Sequence, residues 1–326
     1  MNITVLGLGQ FGYALLRHLD QTGKVPGTLT GWDIRQDIVD EITTSRCHPH
    51  VGDVGCLSSK VQLAHDLSTA CREADVVFLA IASTGMESVL EKIAPIVSES
   101  VFLINCVKSL DTSGTFYFET VERLFDGFQG HYGVMFGASK AQDVLAGDFV
   151  TLSLASESMQ ELDQVAGILQ TNRFRVKTSL DVASVELAGV SKNILTLLYG
   201  YLEGIGASET QKATIFAKAR MQLEREKPSL AHEALFPVWR VDVTMSCHNQ
   251  TRNKTFGMLL GRGYTPEEAM TELATKTLEG FHTLYVMMHN PILAEVEIFR
   301  LLRQVVIEHQ ISAEEFLEHS LLSDEE

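Results

Sequence analysis

Residues 3–12 read Ile3-Thr4-Val5-Leu6-Gly7-Leu8-Gly9-Gln10-Phe11-Gly12 and lead straight into ALLRHL. An apolar, β-branched run followed by G-x-G-x-x-G and a helical pattern describes a strand, a tight turn and a helix. The first glycine permits the turn, and the second lets backbone approach a pyrophosphate. The third lets helix and strand pack closely, with the phosphates at the positive end of the helix. The glycine spacing alone is weak, because glycine-rich turns also occur without a ligand. Here a second strand, LTGW, leads into Asp33, 21 residues beyond Gly12, where a carboxylate would bond ribose hydroxyls. Strand, helix and acid together predict a dinucleotide site. Asp33 would repel a 2′-phosphate, so NAD is the expected cofactor, with Arg35 leaving NADP possible.

The same alternation continues outward. Apolar runs ITVLG, LTGW, VVFLAI, VFLINC, YGVMFG, VTLSLA and FRVKTS are separated in most cases by helical patterns, as at 10–22, 86–97, 113–125 and 158–170. This predicts an α/β fold with an N-terminal Rossmann-like, doubly wound and largely parallel sheet. After Ser179 the strand signals stop. Thr265-Pro266-Glu267-Glu268 reads as an N-cap, an N1 proline and an acidic first turn; Ser312 with Glu315 reads as a capping box; Gly261 and Gly263 suit a helix end. The expected organisation is a dinucleotide-binding domain over 1–180 and an all-helical substrate and catalytic domain over 181–326.

Composition narrows the partners. The 326 residues are 45% hydrophobic and 21% charged, with a net charge of −16. Such a charge repels nucleic acid and anionic membranes, and an anionic substrate would need a local basic pocket. No uncharged apolar run reaches the ~18 residues of a membrane span, and the N-terminus has no basic region or cleavage site of a secretory signal. Cys47, Cys56, Cys71, Cys106 and Cys247 are odd in number, scattered and free of C-x-x-C spacing, which predicts reduced thiols and a cytoplasmic location. Cys47-His48-Pro49-His50 lacks a second pair of ligands, so its histidines read as incidental to a polar loop and no metal is expected.

Lys192 is the other conspicuous feature. From Leu187 to Leu202 every other side chain is apolar, small or uncharged. A buried ammonium is costly unless paired, and burial lowers its pKa, so this lysine is either a snorkelling one with a counter-ion or a catalytic one. Further on, TRNKTFG at 251–257 precedes a helical run, where Arg252 and the N–H groups of a helix start would cradle a phosphate; a solvated basic turn is the alternative.

These stretches, in order, resemble the soluble NAD(P)-dependent glycerol-3-phosphate dehydrogenases. VELAGVSKNIL resembles that family's V-E-L-x-G-x-x-K-N signature, CVKSL its A-x-K-G, and FGASKAQDVLAG its G-P-[ST]-x-A-x-E-V-x-x-G. TRNKTFG and LEG at 278–280 are similar to its later motifs. The resemblance implies that Lys192 gives the proton to a ketone and that Lys108 contacts substrate and cofactor. It also implies that Asp242 and Ser246, a usual threonine, complete the catalytic polar network. Arg252 and Asn253, with Thr251 and Ser139, would hold a phosphorylated substrate. Gln10, Phe11, Ala141, Arg252 and Glu279 would join Gly7, Gly9, Gly12 and Asp33 at the cofactor. A homodimer and a place in glycerophospholipid metabolism come with the resemblance.

The chain departs from the family in Pro237-Val238-Trp239-Arg240-Val241, which is bulkier than the usual small, glycine-rich segment and is expected to alter the pocket lining. Reductases of the β-hydroxyacid or ketopantoate type share the architecture but place asparagine four residues after the lysine, where this chain has Thr196. A catalytically silent NAD-binding regulator would have lost the lysine or the Arg-Asn pair.

Overall fold

The computed structural model describes residues 1–51, 55–125, 130–231, 236–275 and 277–322. The chain divides into two compact units, Met1–Val107 with Tyr117–Glu186, and Lys108–Phe116 with Leu187–Glu326. It passes between them three times, at 107/108, 116/117 and 186/187, where the sequence suggested one cut near 180.

The first unit is built on one sheet: β1 Ile3–Leu6, β2 Leu29–Trp32, β3 Val61–Ala64, β4 Val76–Leu79, β5 Phe102–Asn105, β6 His131–Ala138, β7 Val150–Ser156 and β8 Phe174–Ser179. The strand order is β3-β2-β1-β4-β5-β6-β7-β8. Neighbours are parallel except β6 and β7. Alternate residues feed two cores on opposite faces. Ile3, Val5, Val76 and Phe78 belong to one, and Leu6, Val77 and Leu79 to the other. Burial on both faces is why these strands read as continuous apolar runs rather than alternating ones.

Helices α1 Gln10–Thr22, α2 Gln36–Ser45, α3 Leu67–Cys71, α4 Ser83–Ile93, α5 Tyr117–Leu124, α6 Ala141–Ala146 and α7 Met159–Leu169 follow the strands. Strand β3 has no counterpart in the sequence reading: it is four residues long, lies at the sheet edge and exposes Gln62, so its pattern is short and broken.

The second unit is helical. Helix α8, Val182–Gly204, is followed by α9 Glu209–Glu226, α10 Phe236–His248, α11 Arg252–Gly261, α12 Pro266–Glu272, α13 Glu279–Val286, α14 Glu297–Val306 and α15 Ala313–Leu322. Two glycine pairs bring α8 and α11 together: a Cβ on Gly200 or Gly204 would overlap the carbonyls of Lys254 or Met258, and one on Gly257 or Gly261 those of Leu197 or Tyr201. Small residues four apart let two helix backbones approach. Gly261 therefore serves packing as well as ending its helix. The Ser312/Glu315 capping box and the Thr265 N-cap with Pro266 opening α12 form as read, and Glu268 completes a second capping box with Thr265. No helix among the described residues is long and apolar enough to cross a membrane.

One expectation is corrected. Cys47 and Cys56 form a disulfide, with Cα atoms 4.3 Å apart, while the buried Cys71 and Cys247 remain thiols. Sequence spacing did not show that the chain after α2 doubles back, with Leu57 N–H donating to the Arg46 carbonyl.

Candidate active site

In the first unit the glycine motif is folded as a cradle. Gly7 has φ +91, and a Cβ there would press on the Ala80 carbonyl at 2.6 Å. A Cβ on Gly12 would collide with the Gly7 carbonyl, so the third glycine is needed for α1 to sit on β1. A Cβ on Gly9, by contrast, meets nothing within 4 Å. Gly9 caps α1 with no side-chain hydrogen bond. Open space before an uncapped helix start fits an anionic pyrophosphate, so the residues present suit a dinucleotide. Gln10 is exposed and Phe11 half-buried beside it.

The loop is held by its own peptide groups. Asp33 Oδ2 accepts the Leu8 N–H at 2.6 Å, and Oδ1 accepts the Arg35 N–H at 2.8 Å. Arg35 turns its guanidinium to Asp37, at 2.6 Å. His48 is not an incidental loop residue. It is buried, and its Nε2 lies 2.8 Å from the Leu8 carbonyl while Nδ1 accepts the His50 N–H. A carbonyl can only accept, so Nε2 carries the proton and the ring is neutral; burial lowers its pKa accordingly. Among the described residues no group of three or more His, Cys, Asp or Glu could hold a metal ion. Ser139 and Ala141 lie at the β6–α6 junction, with the Ser139 hydroxyl near the Gly137 carbonyl.

The second unit gathers residues distant in sequence. On α10, Asp242 and Ser246 are four apart and share a face. Asp242 is buried with a side-chain exposure of 2%, and takes Lys108 Nζ at 3.1 Å on one oxygen and Lys192 Nζ at 3.7 Å on the other. Ser246 Oγ lies 3.4 Å from Lys192 Nζ and 3.5 Å from Asp242. Two ammoniums share this one carboxylate, and Glu279 lies near enough to act on Lys192 as well. Burial lowers the pKa of Lys192 and Lys108 adds to that, while Asp242 opposes it. Such an amine can give and regain a proton.

Asn193, placed by the sequence reading in the Lys-Asn signature but with no role assigned, connects this cluster. Its Nδ2 donates to the Lys108 carbonyl at 2.9 Å and to Glu279 at 3.0 Å, and its Oδ1 accepts from Asn253. Asn253 in turn accepts the Gly280 N–H. A Cβ on Gly280 would sit 2.6 Å from the Asn253 amide oxygen, so the glycine of LEG is required by this contact. The signal for Asn193 was its place beside Lys192. Thr251 caps α11 and bonds the Ser246 carbonyl; Arg252 follows it, exposed on the first turn.

The bulky 237–241 segment, at the start of α10, packs in part against α9. Trp239 is fully buried, with the Arg220 guanidinium of α9 over its ring at 5.4 Å, and Arg240 reaches toward Glu224. Its bulk packs α10 on α9. Thr196 bonds the Lys192 carbonyl at 2.7 Å and so is turned to its own helix.

Residues 2–162 match the family described as NAD-dependent glycerol-3-phosphate dehydrogenase N-terminus, and residues 181–318 the corresponding C-terminus. A glycerol-3-phosphate dehydrogenase (NAD(P)+) of Syntrophomonas wolfei is 30% identical over 292 residues, covering 87% of this chain and 84% of its own. The fold is shared with glycerol-3-phosphate dehydrogenase structures from Plasmodium falciparum, TM-score 0.87 at 19% identity over 100% of this chain and 96% of that one, and from Coxiella burnetii, 0.83 at 22% over 98% of each. The sequence matches across both units make this chain a member of the NAD-dependent glycerol-3-phosphate dehydrogenase family.

Proposed function

We propose that the chain interconverts dihydroxyacetone phosphate and glycerol 3-phosphate, with Lys192 as the acid that protonates the ketone oxygen and, in reverse, the base that takes that proton back. The observation that carries this reading is the Lys192–Asp242–Lys108 cluster: a buried amine of lowered pKa, oriented by a carboxylate and a hydroxyl, beside a second ammonium. When bound, the nicotinamide dinucleotide supplies or accepts the hydride. Gly7, Gly9 and Gly12 with the start of α1 would hold its pyrophosphate, and Gln10, Phe11, Asp33, Ala141, Arg252 and Glu279 would contact the rest. Lys108 would stabilise negative charge growing on the substrate oxygen, and Asp242 with Ser246 would keep both lysines aimed. Arg252, with Asn253, Thr251 and Ser139, would grip the phosphate. Asn253 spends much of its amide on Asn193 and Gly280, so Arg252 is the principal anion ligand of the set.

NAD is favoured over NADP by Asp33, because Arg35 is paired with Asp37. A reductase of the β-hydroxyacid or ketopantoate type is disfavoured by Thr196, which faces its own helix backbone. Retention of the lysines and the Arg-Asn pair argues against a silent regulator. A homodimer and a role in glycerophospholipid metabolism go with the family resemblance; a cytoplasmic location rests on reduced thiols, and the Cys47–Cys56 bridge weighs against that basis.

The test is direct. Purified protein is assayed with NADH and NADPH against dihydroxyacetone phosphate and a panel of phosphorylated and free ketoacids. Preferred turnover of dihydroxyacetone phosphate supports the reading, and preference for an unphosphorylated ketoacid would overturn it.

A further inference from the structure

Glu186 is the last residue of the first unit, and it is 1% exposed. One of its oxygens, Oε1, accepts three donors: the Tyr117 N–H at 2.8 Å, Asn105 Nδ2 at 3.2 Å and the Tyr132 hydroxyl at 3.2 Å. Asn105, itself fully buried at the end of β5, uses its Oδ1 to accept the Val107 N–H at 2.7 Å. These residues share one unit, and they mark each place where the chain leaves or re-enters it: Val107 before the first crossing, Tyr117 after the second, Glu186 before the third. The segment 108–116 begins with Lys108. Both ends of that excursion are thus tied to one carboxylate, directly at Tyr117 and through Asn105 at Val107.

We propose that Glu186 is a positioning residue for Lys108: its carboxylate closes the neck of the 108–116 segment and, through Asn105, fixes the Cys106–Val107 peptide, one residue before Lys108. Burying a carboxylate is costly, and a glutamine could accept the same three bonds, so packing alone does not call for the charge. The charge makes those bonds stronger. Two peptides further along, Asn193 holds the Lys108 carbonyl, so asparagines hold the chain before and after the lysine and one of them answers to Glu186. Burial pushes the Glu186 carboxyl up to about 7, the facing donors, Tyr117 N–H first, pulling it back. The titratable groups that face it are the phenol of Tyr132 on β6 and, next to that phenol, Tyr117 on α5; Asn105 on β5 is neutral. Ionisation of Glu186 near neutrality would tighten the neck as pH rises.

The role of Lys108 in turnover rests on the proposed activity, so the experiment carries a second readout that does not. In the full-length protein, Glu186→Gln and Tyr132→Phe are compared with wild type by ketone-reduction kinetics from about pH 5.5 to 9. Both are also compared by the rate at which Lys108 is acylated, followed by peptide mass spectrometry over the same range. Glu186→Gln should retain the NADH Kd, lower kcat/KM about tenfold, and remove an inflection near 7 from both profiles. Tyr132→Phe removes one donor to the carboxylate and should move that inflection to higher pH. If Glu186→Gln leaves the Lys108 labelling profile and kcat/KM at wild-type values, the proposal is overturned while the assigned activity stands. Absent turnover of dihydroxyacetone phosphate in the wild type, with the labelling inflection present and lost in Glu186→Gln, would overturn the activity and uphold the positioning role.

Discussion

The glycine loop of the first unit and the lysine cluster of the second are built in opposite ways. In the loop, the working parts are backbone: N–H groups at the start of α1, left open at Gly9, while Gly7 and Gly12 let strand and helix pack closely. The side chains there, Asp33 and His48, hold the Leu8 peptide. In the cluster the working parts are side chains from four segments: Lys108 and Lys192 meet at Asp242, and Asn193 ties Glu279 to the Lys108 carbonyl. A backbone site tolerates changes that respect φ and volume, whereas a charge cluster fails when any one charge is removed. Both are oriented by groups one bond away.

The comparison is broken most sharply by Asp242→Asn. Removing the shared carboxylate leaves two facing ammoniums, and kcat should fall by roughly 10²–10³. Asp242 raises the Lys192 pKa against burial, so its loss should shift the alkaline limb of the pH–rate profile to lower pH. An unmoved limb would show that Asp242 does not act on Lys192. Arg252→Ala comes next, with KM for the phosphorylated ketone raised and roughly 2–4 kcal/mol of transition-state binding lost. Lysine at 252 should restore only part, lacking the planar fork. Unchanged kinetics would return TRNKTFG to a solvated turn.

The backbone site is sharpened by one substitution made twice. Gly12→Ala sets a methyl into the Gly7 carbonyl and should lower stability by roughly 2–4 kcal/mol, read by urea unfolding. Gly9→Ala has free space around it and should unfold like wild type, yet weaken NADH binding by filling the approach to the pyrophosphate. Equal stability losses at both positions would remove the distinction between packing and cradle glycine. The smallest effect is expected at Asp33→Ala, which should narrow the preference for NADH over NADPH by about tenfold, some 1.4 kcal/mol. It also frees the Leu8 N–H, so affinity for both dinucleotides should drop somewhat.

How much of this was legible follows from distance along the chain. The turn, helix and acid of the dinucleotide motif lie within the first βαβ unit, where spacing reports geometry, and the capping boxes are more local still. Lys192 stood out because a lone charge interrupts an apolar helix. Asn193 did not, since a buried amide shows its value only when Lys108, Glu279 and Asn253 are brought to it. The glycines of α8 and α11 read as helix weakeners or ends until the two helices are laid together. Trp239 read only as added bulk, and the Arg220 guanidinium over its ring shows only once α9 is laid beside α10. The Cys47–Cys56 bridge depends on how a loop doubles back, which no period encodes, and the edge strand β3 is too short and broken by Gln62 to show one.

The most direct test of the central claim is Lys192→Met, followed by turnover, NADH binding and thermal unfolding on one preparation. Methionine matches the length without the charge, and Asp242 keeps Lys108 at 3.1 Å, so no carboxylate is orphaned. The variant should bind NADH as wild type does, unfold at the same or a higher temperature, and lose kcat by roughly 10²–10⁴. Burial lowers the Lys192 pKa, so the folded wild type binds fewer protons than the unfolded chain on the alkaline side and gains stability as pH rises there; the variant should lack that gain. Near-normal turnover in Lys192→Met would mean that the proton comes from another group, Lys108 first, and would contradict the assignment on which the mechanism rests.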